Sequence, residues 1–199
     1  MARRILVIGA SGLIGGAVAD ALEAAGDEVV RASRSSGEHV DVLAPPSVDA
    51  LFSRIGIVDA VVAAVGSVPF KPFAELTADD YRAGFDDKVL GQLGIVAAGT
   101  PYVADGGSFT LTSGILADRP IPTGAAASVA NGALNAYVLA ASPYLPREIR
   151  INAVSPNVLS EATAYHPSFP GFTPVPAADV VRAYLRVIDG DESGTVLSV

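Results

Sequence analysis

The chain has 199 residues, of which 50% are hydrophobic and 17% are charged, so we expect one compact domain over residues 1–199 rather than a disordered chain. The net charge is -8, and no basic run exists beyond Arg3-Arg4, which argues against a nucleic-acid partner. The lack of a membrane-length apolar stretch or a signal-peptide pattern predicts a cytoplasmic protein, and zero Cys with two His predicts no metal site.

Apolar runs and helical patterns alternate along the chain. The predicted strands are Arg4 to Gly9, Glu28 to Ala32, His39 to Val42, Val58 to Val65, Ser108 to Thr112, Ile149 to Val154 and Thr195 to Val199. The predicted helices are Gly15 to Ala25, Ser47 to Ile55, Ala78 to Ala98, Gly124 to Ala141 and Ala177 to Ile188. This alternation predicts right-handed crossovers and a parallel, doubly wound α/β sheet of about seven strands.

The first strand ends in a turn of three glycines spaced three residues apart, and a helical pattern follows it. Such glycines let the backbone approach a pyrophosphate, and the helix N-terminus that follows favours an anion. The sequence therefore predicts a dinucleotide site, although a glycine-rich turn with another ligand remains the alternative. The residues predicted to form it are Gly9, Ser11, Gly12, Leu13, Ile14 and Gly15.

A segment with little periodicity, residues 156–176, follows the sixth predicted strand and is rich in Pro, Ser, Thr and aromatic residues. Open α/β sheets bind ligands at the carboxyl ends of their strands, so this segment is predicted to be a short substrate-cover loop. The alternative is a surface excursion whose aromatic residues pack locally.

Five segments together resemble the short-chain dehydrogenase/reductase family. They are Gly9 to Gly15, Lys88-Val-Leu-Gly91, Gly106-Gly-Ser-Phe-Thr-Leu-Thr-Ser113, Asn131-Gly-Ala-Leu134 and Arg150-Ile-Asn-Ala-Val-Ser-Pro156. The resemblance implies a Rossmann-type sheet of order 3-2-1-4-5-6-7, an NAD or NADP cofactor, and a homodimer or homotetramer built through the fourth and fifth helices. It also places Asp41 and Val42 beside the adenine, Ala64 and Gly66 beside the adenosine, and Pro156 and Val158 at the nicotinamide. A turn-capping role is equally open for Asp41.

The chain departs from this family at the usual acid. The family's Tyr and Lys, four residues apart, align with Ala127 and Asn131, and no Lys occurs between Gly114 and Tyr137. Losing this pair removes a general acid worth about 100-fold to 10,000-fold in rate. The chain thus resembles a short, single-domain subgroup that lacks the Tyr-x-x-x-Lys pair.

One substitution suggests compensation. The family's Asn on the fourth helix is Lys88 here, so Asn and Lys have exchanged helices. We predict that Lys88 reaches toward Asn131 and Ser113 to form a cationic site that can stabilise an oxyanion. A surface or interface lysine is the open alternative, and Ser113 could instead be a turn hydroxyl before Gly114.

The second strand ends at Ser33-Arg34-Ser35, where NAD-binding proteins present a carboxylate to the ribose. Arg34 can clamp a 2'-phosphate, and the flanking serines can add hydroxyl groups, which predicts NADP rather than NAD. A solvated arginine after a strand is the alternative.

Two classes of function remain open. The first is an atypical oxidoreductase that acts on a small carbonyl or imine, with its proton taken from water, the substrate, Tyr165 or His166. The second is a catalytically inactive dinucleotide-binding protein, a sensor or a partner subunit, and a non-redox isomerase or cyclase is a smaller third possibility.

Overall fold

A computed structural model describes residues 2–199 as one seven-stranded parallel sheet of order β3-β2-β1-β4-β5-β6-β7. The strands are β1 (Arg4–Ile8), β2 (Glu28–Ser33), β3 (Glu38–His39), β4 (Val58–Ala63), β5 (Val103–Thr112), β6 (Arg150–Ser155) and β7 (Val196–Ser198). The Rossmann-type fold and its strand order are confirmed. The strand order reverses between β1 and β4, and open sheets bind their ligands at such a point.

Helices cover both faces of the sheet. They are α1 (Leu13–Ala24), α2 (Pro45–Ile55), α3 (Ala78–Gly84), α4 (Gly91–Gly99), α5 (Ala125–Ala141) and α6 (Ala177–Asp189). Strand β1 is apolar without alternation because its side chains are buried on both faces: Leu6 packs with the α2, α4 and α5 side, and Val7 packs with the α1 and α6 side. The hydrophobic cores on the two faces of the sheet hold the carboxyl ends of its strands in place.

The predicted helix from Ala78 to Ala98 is helical throughout, but it is not a single α-helix. Helix α3 ends at Gly84, a π-helical turn spans Phe85–Leu90, and α4 begins at Gly91. The glycines at both ends allow close packing, since a Cβ would lie 3.0 Å from Val68 Cγ1 at Gly84 and 3.0 Å from Val42 Cγ2 at Gly91. The π turn carries Lys88.

The predicted third strand, His39 to Val42, is also displaced, because only Glu38 and His39 pair with β2. The backbone N–H of Asp41 instead donates to Ser47 Oγ at 3.0 Å, and its carboxylate accepts from the N–H of Leu43 at 3.1 Å. The chain therefore turns at Asp41 toward α2, and Asp41 caps that turn.

No helix within residues 2–199 is both long and apolar enough to cross a membrane. The same residues contain no cluster of three or more His, Cys, Asp or Glu side chains that could hold a metal ion.

Candidate active site

The glycine turn is shaped by close backbone contacts. Gly9 has φ +92°, and a Cβ there would lie 2.2 Å from the carbonyl oxygen of Ala64. A Cβ at Gly15 would lie 2.3 Å from the Gly9 carbonyl oxygen. Only glycine fits at either position, so the turn is a cradle of bare main chain.

Helix α1 opens directly onto this cradle. Its N-cap is Gly12, which supplies no capping side chain, and its first turn contains no acidic residue. The N–H groups of the first turn have no partners within a helix, and the macrodipole adds positive potential there. The arrangement suits an anionic group such as a pyrophosphate.

A cleft of about 340 Å³ extends from the cradle over the ends of β1, β2 and β4. The predicted residues that line it are Gly9, Ser11, Gly12, Ser33, Arg34, Ser35, Asp41, Val42, Ala64 and Gly66. Asp87 lines it too, which the sequence did not suggest. Gly15 lies behind the cradle as a packing residue.

Of the three anion contacts predicted at the end of β2, Ser33 and Arg34 differ in availability. Ser33 Oγ accepts from the N–H groups of Ser35 and Ser36 and contacts the Ser36 carbonyl oxygen at 2.7 Å, so its hydroxyl holds the turn. Arg34 is exposed on the cleft wall. Within residues 2–199 its guanidinium makes no hydrogen bond or ion pair, whereas nine of the 13 Lys and Arg side chains are ion-paired.

A second cavity of about 510 Å³ continues from the first and shares Gly12, Ala64, Val65, Gly66 and Ser67 with it. The predicted residues that line it are Gly12, Leu13, Ile14, Ala64, Gly66, Lys88, Ser113, Asn131, Pro156, Val158 and Tyr165. The structure thus brings all three predicted catalytic residues to one cavity. Ala127, at the family's Tyr position, contributes only a methyl group.

Lys88 is partly buried at the polar end of this cavity. Its Nζ donates to the carbonyl oxygen of Ser113 at 3.0 Å, which joins the π turn to the end of β5. Burial lowers the pKa of Lys88 to about 8, against a smaller raising effect of Asp87. The ammonium therefore lies in the pocket rather than in free solvent.

The Ser113 hydroxyl faces helix α5. Ser113 Oγ lies 2.5 Å from Asn135 Oδ1 and 3.1 Å from the Asn131 carbonyl oxygen, and Ser113 is 1% exposed. Asn135 was missed in the sequence because nothing in an Ala-rich helix marks one amide as the partner of a strand residue.

Asn131 is 3% exposed, and within residues 2–199 its buried Oδ1 has no hydrogen-bond partner. A Cβ at Gly114 would lie 2.8 Å from Asn131 Nδ2, so the bare Gly114 leaves room for this amide where the chain leaves β5. An unsatisfied buried amide oxygen is costly, which makes Asn131 a candidate ligand contact.

Residues of the loop 156–176 line part of the cavity. Its base is tied by the bridge between Leu159 and Val175, and Tyr165 packs against Phe70 with ring centroids 6.0 Å apart. His166 does not line the cavity, because its Nε2 contacts the carbonyl oxygen of Leu159 at 2.8 Å. Of the two predicted proton donors, only Tyr165 lines the cavity.

Buried Gln92 is a further residue that the sequence analysis missed. Its Nε2 donates to the carbonyl oxygens of Val65 and Thr112, and its Oε1 accepts from the N–H of Thr112 at 2.9 Å. This clamp joins the ends of β4 and β5 beside the site. The sequence signal that could have identified it is a single Gln among the apolar residues of α4.

A model of the family described as enoyl-(acyl carrier protein) reductase matches residues 9–188, which is most of the chain. The chain belongs to the short-chain dehydrogenase/reductase family. An uncharacterized oxidoreductase of Methylorubrum extorquens is 35% identical over 149 residues, which cover 74% of this chain and 59% of that protein. The chain therefore spans less than two thirds of the length of that curated relative.

Two solved structures are similar over the whole chain. The protein lin1944 from Listeria innocua is 44% identical with a TM-score of 0.96, and both chains are covered completely. A small-chain dehydrogenase in complex with NADPH is 27% identical with a TM-score of 0.89, covering 100% of this chain and 97% of that one.

Proposed function

We propose that the chain binds NADP(H) in the continuous cleft. The cradle and the open N-terminus of α1 would hold the pyrophosphate, through Gly9, Ser11, Gly12, Leu13 and Ile14, with Gly15 packed behind them. Arg34 would hold the 2'-phosphate, with Ser33 fixing its turn and Ser35 beside it. The NADPH complex of the similar small-chain dehydrogenase supports this proposal.

The remaining contacts follow the cleft. Asp41 and Val42 would flank the adenine, Ala64 and Gly66 the adenosine, and Pro156 and Val158 the nicotinamide. When bound, the reduced cofactor supplies a hydride to a substrate carbon. The protein's side chains would have to orient the substrate and stabilise the charge that develops on it.

We propose further that the protein is an atypical oxidoreductase for a small carbonyl or imine. The observation that carries this proposal is the Lys88 ammonium, held on the Ser113 carbonyl at the polar end of a cavity continuous with the cofactor cleft. A cation and the Asn131 amide there can stabilise negative charge on a substrate oxygen. Ser113 would contribute mainly through its carbonyl, which positions Lys88.

The rest of the cavity restricts the substrate. Its outer wall is apolar and partly aromatic, formed by Leu13, Val68, Phe70, Ile115, Leu116 and Phe169. No Asp or Glu is among its described lining residues, so none of them would pair with a cationic substrate, and the apolar wall favours a compound with a hydrophobic body. The loop 156–176 would close over that body as a cover on the single domain 1–199.

The test has two stages. Thermal unfolding with NADPH and with NADH measures cofactor binding, and we expect a larger increase in Tm with NADPH. Absorbance at 340 nm, followed over a panel of aryl and alkyl carbonyls and imines, then measures turnover. Equal Tm increases, or none, would remove the assignment of NADP, and binding without turnover would remove the oxidoreductase assignment.

A second candidate is an inactive dinucleotide-binding protein, from the subgroup without the Tyr-x-x-x-Lys pair. Buried Ala127 and the unpartnered amide oxygen of Asn131 favour it, because neither supplies the usual acid. A non-redox isomerase or cyclase would use the same pocket. Turnover of a keto compound without change at 340 nm would identify that third function.

We also propose a homodimer or homotetramer through α4 and α5. Leu90 beside α4 is 51% exposed, and Val129 and Leu139 on α5 are 52% and 69% exposed. Burying such side chains drives association. Light scattering should give a multiple of 20.2 kDa for the native chain and a lower mass for a Val129→Asp variant. A monomeric native chain would remove this proposal.

A further inference from the structure

We propose that Lys88 is itself the proton donor of the reaction, taking the role that a tyrosine phenol has elsewhere in the family. The inference rests on the proposed oxidoreductase function and deepens it. It assigns the missing acid to a residue on the π turn, rather than to water or to the loop 156–176.

The geometry supports this assignment. A Cβ at Gly66 would lie 2.6 Å from Lys88 Cγ, so Gly66 leaves the space through which the lysine stem passes. The Ser113 carbonyl accepts one Nζ–H at 3.0 Å, and an ammonium has three, which leaves two for the cavity. Ala127 lines the same cavity and contributes only a methyl group at the family's tyrosine position.

The surroundings suit an acid that works near neutral pH. Asp87 lies on the same π turn, and Tyr165 is the one other titratable side chain among the described residues that line the cavity. The lining residues from the glycine turn, β4, β5 and α5 carry no ionisable group. Desolvation is therefore the dominant effect, and it lowers the pKa of Lys88 to about 8. At pH 7 most molecules carry a protonated Lys88, and its reduced pKa makes it a better proton donor than an ordinary lysine.

The proposed reaction moves one hydride and one proton to the substrate. In the reducing direction, bound NADPH would supply the hydride for the new C–H bond and be left as NADP⁺, while the C=O π electrons would move to oxygen. The oxygen takes a proton from Lys88, so an N–H bond breaks and an O–H bond forms. Lys88 is left as a neutral amine, which water reprotonates, and in the oxidising direction that amine accepts the alcohol proton.

The first test measures Lys88 without turnover. The chain has two lysines, Lys71 and Lys88, so the protein labelled with [¹³Cε]lysine gives two NMR signals, and a Lys71→Arg variant assigns them. We expect the Lys88 signal to titrate near pH 8, and to shift when NADPH is added. A Lys88 signal that stays that of an ammonium through pH 10 would overturn the proposal.

The second test separates proton donation from charge. Lys88→Arg keeps a cation whose pKa is too high to donate, so reductive turnover should fall at least ~100-fold while the NADPH-induced increase in Tm is retained. Lys71→Arg is the matched control, because Lys71 lines neither cavity and pairs with Asp80 at the surface.

The outcomes distinguish the two proposals. If the native chain is active and its Lys88→Arg variant is equally active, a positive charge is sufficient. That result would overturn only the proposal that Lys88 donates the proton and would leave the oxidoreductase function standing. A native chain that binds NADPH but reduces no compound would overturn the oxidoreductase function as well. A reductive rate that falls above about pH 8 in the native chain would support both.

Discussion

Gly66 and Lys88 share one space: a methyl group on Gly66 would lie 2.6 Å from Lys88 Cγ and 2.9 Å from its Cα. Gly66 also has φ +123°, a backbone conformation that residues with a Cβ rarely adopt. Gly66→Ala should therefore destabilise the fold by about 1–3 kcal/mol and abolish turnover by displacing the lysine. Gly26→Ala is the matched control, since Gly26 has φ +93° but no atom within 4 Å of its Cβ position. Equal loss of turnover in both variants would show that backbone strain alone is responsible.

Ser113→Ala should affect stability more than catalysis. The substitution removes the hydroxyl that contacts Asn135 at 2.5 Å but keeps the carbonyl that holds Lys88. We expect a loss of about 1 kcal/mol in the free energy of unfolding, measured in urea, with kcat reduced less than tenfold. A loss of kcat comparable to that of Lys88→Arg would instead give the hydroxyl a direct catalytic role.

Arg34→Glu should weaken NADPH binding selectively. Replacing the free guanidinium by a carboxylate puts a negative charge beside the 2'-phosphate, so the Kd for NADPH should rise at least ~10-fold, equivalent to about 1.4 kcal/mol. The Kd for NADH should change little. Arg82→Glu is the control, because Arg82 lines neither cavity. Parallel losses for both nucleotides would contradict a phosphate clamp.

Lys88→Met should make the protein more stable at pH 7. The pKa of Lys88 lies at about 8 in the folded state, below its ordinary 10.5, so the unfolded chain binds more protons between these values and stability rises with pH there. Below pH 8 the charge costs up to about 3 kcal/mol, which methionine would recover in part. Urea denaturation at pH 7 and pH 10 should show an advantage that shrinks at the higher pH.

Tyr165→Phe and His166→Gln should differ in effect. Tyr165 lines the cavity, so losing its hydroxyl should alter KM for a polar substrate, with kcat kept if Lys88 is the acid. His166 anchors the loop through Leu159, and its substitution should raise the loop's hydrogen-exchange rate instead. A fall of more than ~100-fold in kcat for Tyr165→Phe would move the acid to the loop.

Main-chain features were the predictable part of this structure. Gly9 and Gly15 are glycines because any Cβ would meet backbone, and that requirement shows in the spacing of the sequence. The uninterrupted apolar residues of β1 likewise indicate burial on both faces. The cradle, the sheet order and the layer arrangement therefore follow from local patterns together with the family resemblance.

Side-chain partners were not predictable in the same way. The contact between Ser113 and Asn135 joins residues 22 positions apart, and its partner depends on how α5 packs on β5. The π turn at Phe85–Leu90 keeps nearly the hydrophobic pattern of an α-helix, so only the flanking Gly84 and Gly91 mark it. The Ser33 hydroxyl was expected at a phosphate, and the structure shows it already engaged within its own turn.

The cradle is formed by main-chain groups, whereas the polar end of the cavity is formed by side chains. Main-chain N–H groups make the cradle, and any sequence that keeps this backbone keeps them. The polar end depends on single side chains from separate segments, Lys88 on the π turn and Asn131 on α5. Its chemistry can change by one substitution without disturbing the cradle. Across evolution the nucleotide affinity of such a chain is therefore more durable than its reaction, and retained affinity says little about which reaction survives.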